Sequence, residues 1–232
     1  MRNMRKLLRG IYIRFRQIRW SDYRWANLDK TKILLPFRLF AHPVESFNDI
    51  KYEKRGSLAI ANLLLLLFFL EGIVNYFLAG YLFSNNEAQS FSVWPILLRT
   101  VVLVVLWCVM NWAMCTLLEG EGTFREIWLA ACYSLTPIVL FSVPVNLISN
   151  VMTLSESMFY TAVSDGLTLW TLLLLFLGMM VVHQFTVTKT VGSVVLTVAM
   201  MVIFVFLVLL GFSISQQIAA FVSTIATELL RR

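Results

Sequence analysis

Charge is what this chain lacks over most of its length. Of its 19 Lys and Arg, only Arg99, Arg125, Lys189, Arg231 and Arg232 lie beyond Gly56. Residues 57–232 set those 5 basic groups against 8 acidic ones, too little polar material to coat a soluble domain. Histidine is scarce as well: His42 and His183 are the two in the chain. HExxH, GxSxG, the phosphate-binding GxxxxGK[ST] and any Cys/His ligand cluster are all missing. Neither catalytic residues, nor a metal site, nor a cofactor is therefore expected, and the chain reads as non-enzymatic. The three cysteines, Cys108, Cys115 and Cys132, fall inside apolar runs without CxxC spacing, which predicts small packing residues.

What is present is hydrophobic length. Segments 57–83, 91–118, 127–152, 167–188 and 193–215 each supply the about 20 helical residues needed to cross a hydrocarbon core of about 30 Å. Backbone groups in lipid must bond within their own segment, and no period of two is visible, so the spans are helices. The expectation is an all-α polytopic membrane protein with five transmembrane helices. Residues 1–56 form a basic segment, 57–215 the membrane domain and 216–232 an amphipathic tail.

The first 56 residues hold 14 basic against 5 acidic groups. Loops rich in Lys and Arg stay cytoplasmic, which predicts a cytoplasmic N-terminus and, with five spans, an extracellular C-terminus in a plasma membrane. Arg125 and Lys189 fall in the two inner connections, whereas the outer ones, 84–90 and 153–166, carry no basic residue. Within 1–26, Ile11, Phe15 and Ile18 recur at helical spacing among arginines, the pattern of an interfacial helix on anionic headgroups. A patch interleaved with apolar residues beside a span does not suit nucleic acid. A second short helix is expected over 43–55, with Pro43 in its first turn and Gly56 as its cap. Leu34–Phe40 is expected to lie at the membrane interface.

Polar residues within the spans are the candidate sites. Glu71 and Arg99 lie at overlapping depths on the first two spans, and an intramembrane ion pair between them is expected. His183 and Gln184 are expected to bond structurally, and Pro137 and Pro144 to kink the third span. Thr123 followed by Glu126 reads as a capping box opening that span. Beyond Gly211, the stripe Ile214, Ile218, Phe221, Ile225 and Leu229 predicts an amphipathic helix outside the membrane or lying on its surface, covered by lipid or by a partner.

Two stretches carry a resemblance: FRLFAHPVESFNDIKYEKRGSL (Phe37–Leu58) and GEGTFREIWLAACYSLTPIVL (Gly120–Leu140). With five spans in this order, the chain resembles the Yip-one domain of the Yip family of membrane proteins, over roughly residues 36–215. Pro43 and Phe47 match the family's proline and following aromatic. Gly120, Gly122 and Thr123 match its cytoplasmic loop; Tyr133, Ser134 and Pro137 match its Tyr-Ser/Ala-x-x-Pro. The resemblance implies five spans and a cytoplasmic N-terminus. Eukaryotic relatives bind Rab-type GTPases through an Asp-Leu-Tyr-Gly-Pro motif, which this chain lacks. It is more similar to bacterial members, which accompany multicomponent membrane systems including carbohydrate importers driven by ATP. Three functions are therefore set against one another: an accessory or scaffold subunit contacting integral membrane subunits such as ABC permeases, a stand-alone transporter or channel, and a membrane-shaping or trafficking protein.

Overall fold

The computed structural model describes residues 30–78, 91–118 and 120–230. Every regular element among them is helical. Helices α1 (Lys30–Ala41) and α2 (Pro43–Lys51) precede the first span, α3 (Leu58–Leu78). The second span joins α4 (Val93–Leu97) to α5 (Leu103–Leu117) through a π-helical turn at Leu98–Val102. The third is α6 (Phe124–Ser134) followed by α7 (Thr136–Ser149), the fourth α8 (Ser157–His183), the fifth α9 (Val187–Leu230). Five helices are thus long and apolar enough to cross a membrane, as hydropathy predicts.

Local chemistry explains the breaks. Thr123 accepts from the Glu126 N–H at 3.4 Å and Glu126 accepts from the Thr123 N–H at 2.9 Å, the reciprocal capping box that starts α6. Pro137 has no N–H to return to the Tyr133 carbonyl. The Thr136 hydroxyl donates to that carbonyl instead, at 2.6 Å, so the interruption at Leu135 leaves it satisfied rather than open to a ligand. Pro144, by contrast, is accommodated inside α7. Helix α8 closes on Gln184 in the left-handed conformation (φ 57°), with the Phe185 N–H returning to Met180 O.

Two expectations need correction. Residues 157–166 are not an outer connection but the first turns of α8, tied to the third span by the Tyr160 hydroxyl, which donates to Asn146 Oδ1 at 2.6 Å. Hydropathy misses these turns because Ser157, Thr161, Ser164, Asp165 and Gly166 break up the apolar run. Helix α2 stops at Lys51, and Lys54, not Gly56, takes the positive φ (52°). Gly56 is needed for close approach: a Cβ there would lie 3.0 Å from Leu129 Cδ1 and 3.1 Å from Ile50 Cγ2. Helix α9 runs unbroken across residue 216, so the expected tail helix continues directly from the fifth span.

Helices α1 and α2 pack on the bundle through one face and leave Ile33, Leu34, Phe37 and Val44 exposed on the other. Arg38 pairs with Glu45 (3.3 Å) and Asp49 (2.9 Å), closing the two helices into a hairpin. Its tip residue Phe40 packs on Phe141 and Trp170, with ring centroids 5.5 and 5.7 Å away. Trp170 lies about 20 Å along α8 from His183. The hairpin therefore slots in beside α7 and α8, burying Leu35, Leu39, Phe47 and Ile50 in the common core.

Candidate functional site

Of the motif residues, Gly120 and Gly122 lie at the end of the bundle that carries Lys51, Glu121 and His183, here called the base, while Pro43 lies beside the hairpin tip and Pro137 within the third span. Phe47 from α2 is fully buried against Gly178 of α8, where an added Cβ would come within 3.0 Å of its ring and 3.2 Å of Ala130. Lys51 Nζ donates to the Val182 carbonyl at 3.0 Å, placing a cation on the C-terminal end of α8, and lies 3.6 Å from Glu121. The Tyr133 hydroxyl accepts from the Ser57 N–H at 3.3 Å, satisfying a backbone donor at the start of α3. Pro43 supplies the first turn of α2 and Pro137 the break between α6 and α7. These residues fasten the hairpin and the spans together.

Gly120 and Gly122 do the same for a buried polar cluster. His183 Nε2 lies 3.1 Å from Cys115 Sγ and 3.0 Å from Asn111 Oδ1. Asn111 Nδ2 donates to Thr197 Oγ1 at 3.2 Å, and Cys115 Sγ lies 3.5 Å from Ser193 Oγ. The cluster joins α5, α8 and α9, and the imidazole stacks on Phe185. A Cβ on Gly122 would fall 2.6 Å from the ring, so the loop closes over it only as glycine. Cys108 and Cys132 are the apolar packing residues expected; Cys115 is a member of this network. A thiol beside an imidazole is the pairing of a nucleophile and its base. With Cys115 1% exposed, its geometry serves packing. Sequence reading found His183 but not its partners, because which α5 face meets α8 is set by packing.

The second polar cluster surrounds Glu71. The expected Glu71–Arg99 ion pair is absent among the described residues. Arg99 is exposed on the π turn, whereas Glu71 is 7% exposed and faces the third span. Its carboxylate accepts from Asn75, one turn along α3, and from Ser142 on α7. Asn146 donates to Asn75 and, at 3.3 Å, to Ser142. Glu71 is turned toward α7, whereas Arg99 faces outward from the π turn, so overlapping depth does not bring them into contact.

Between the two clusters lies a cavity of about 830 Å³ with an apolar lining that includes Phe68, Trp107, Leu135, Leu172 and Met201. Helix α9 forms one wall. It buries Thr190, Ser193 and Thr197, but past Met201 its described side chains are exposed, among them Ile214, Ile218 and Phe221. The side chains of Ile225 and Leu229 lie outside the described residues, as do Ile11, Phe15 and Ile18 with the whole 1–26 segment.

A family model for the Yip1 domain matches residues 37–210. No curated protein and no solved structure matches the chain. The matched region runs from the α1–α2 hairpin to Leu210 within α9 and contains Pro43, Phe47, Gly120, Gly122, Tyr133 and Pro137. The chain therefore belongs to the Yip1 family of multi-pass membrane proteins.

Proposed function

We propose that this Yip1-family protein is a non-enzymatic accessory or scaffold subunit of a multicomponent membrane complex. One observation carries the reading. Helix α9 is 44 residues long, about 66 Å, twice the hydrocarbon thickness. The apolar run 193–215 is enough to cross the core, so Ile218 and Phe221 lie beyond it, each exposed, Phe221 by 67%. A helix lying on the bilayer surface would need a break after the span, and α9 has none. These groups are instead covered by another integral membrane subunit whose own surface continues out of the bilayer. No Lys or Arg occurs between residues 190 and 230, so the contact is apolar rather than electrostatic.

The basic N-terminus is cytoplasmic and the α9 end extracellular, on the charge asymmetry. The complex is a bacterial ATP-driven carbohydrate importer of the plasma membrane, on the resemblance to bacterial members. A stand-alone transporter is disfavoured because the large cavity has an apolar lining that offers a polar solute few ligands.

The test is co-purification of tagged protein with the importer's permease subunits, before and after Phe221→Asp. The substitution should release the permeases while membrane insertion, read by carbonate extraction, stays intact. Survival of the complex through both Phe221→Asp and Ile218→Asp would remove the basis of the reading.

A further inference from the structure

We propose that Glu71, Asn75, Ser142 and Asn146 form a binding site for a monovalent cation of the size of Na⁺. The spacing creates it. Glu71 and Asn75 are one turn apart on a single face of α3, and Ser142 and Asn146 are likewise on α7. The two pairs face each other: Asn75 Nδ2 donates to Ser142 Oγ at 3.0 Å, and Ser142 also donates to Glu71. Tyr160 from α8 anchors Asn146 from behind, and Asn150 Nδ2 donates to the Leu78 carbonyl at 2.8 Å, holding the ends of α3 and α7 together. Three spans thus enclose one carboxylate.

Charge decides the occupant. A carboxylate within a span is costly unless a positive charge compensates it. The hydroxyl and amide donors satisfy its lone pairs without cancelling its charge. Arg99 acts on it only through space. A monovalent cation neutralises one carboxylate; a divalent ion would leave a net positive charge in its place. Every ligating atom available is oxygen once the two amides turn their Oδ1 inward, with the Tyr160 hydroxyl then accepting from Asn146 Nδ2, a hard donor set that favours alkali ions over zinc or copper. Glu71 lies about 10 Å along α3 from Leu78, so an ion enters from that end without crossing the apolar cavity. The ion is a resident clamp between α3 and α7, and it makes no demand on the partner contacts of α9.

The test is thermal unfolding of the purified full chain in nanodiscs, in sodium, potassium and choline chloride at equal ionic strength. With Na⁺ at about ten times its Kd, the folded-to-unfolded ratio should rise about 11-fold over choline. Glu71→Gln keeps the shape and the hydrogen bonds, and should unfold identically in both salts. If Glu71→Gln does not fold, Ser142→Ala carries the comparison, with most of the Na⁺ response lost. Equal unfolding of the wild type in sodium and choline overturns the site. So does a full Na⁺ response in Glu71→Gln or Ser142→Ala, or a wild type stabilised by acid but not by Na⁺, which would make the occupant a proton.

Discussion

Placing a methyl group on Gly122 tests the packing at the base more sharply than any change to a motif side chain. The new Cβ would lie 2.6 Å from His183 Nδ1, 2.6 Å from Cε1 and 2.7 Å from Val182 Cγ1. None of these atoms can yield cheaply. The imidazole is held on its far edge by Cys115 and Asn111 and stacked against Phe185, and Val182 is in the core. Overpacking costs about 1–3 kcal/mol, and three contacts against pinned groups put Gly122→Ala near about 3. That lowers the folded-to-unfolded ratio roughly a hundredfold. Gly166, in the interior of α8, has open space around it and provides the control of opposite sign. Gly166→Ala should stabilise by about 0.5–1 kcal/mol through helix propensity. Both are read by reversible unfolding in mixed micelles. A double-mutant cycle with His183→Ala isolates the clash: with the ring gone, most of the Gly122→Ala penalty should vanish. If the two changes add within about 0.5 kcal/mol, the ring is not what Gly122 makes room for, and the account of the loop is wrong.

Three further outcomes follow from the same geometry. Glu71→Gln and Arg99→Gln should be nearly additive in unfolding free energy, because no contact joins them; coupling above about 1 kcal/mol would restore the direct ion pair. Tyr133→Phe should cost about 1 kcal/mol by leaving the Ser57 N–H without its acceptor, and a neutral result would show that water replaces the hydroxyl. The three native cysteines are buried, so Arg232→Cys offers an impermeant thiol reagent a single accessible target; labelling in intact cells is expected, and labelling only after lysis would invert the proposed orientation.

The spans were legible because hydropathy reports burial in lipid directly, and the Thr123–Glu126 box because its two bonds are local. What failed to show was anything that depended on helix rotation. Glu71 and Arg99 have overlapping depths, but depth does not say which faces meet. The rival ligand Asn75 sat one turn away on the same helix. The start of α8 looked like a loop because Ser157, Thr161, Ser164, Asp165 and Gly166 lower its hydropathy, although the segment is helical. The packing of the hairpin beside α7 and α8 was hidden because the pairing of Arg38 with Glu45 and Asp49 that closes it spans two helices. The motif residues were found, but their role as mutual spacers emerges only where a glycine meets a ring.

The exposed stretch of α9 has an evolutionary consequence. Beyond Met201 its described side chains bury nothing in the rest of the chain, so changes there are not screened by folding. Selection on the motif cluster holds the bundle fixed, whereas the outer turns of this helix can drift or be retuned freely, provided they remain helical. Under the proposed scaffold role, one associate is exchanged for another by rewriting a few turns of a single helix, with no compensating change elsewhere.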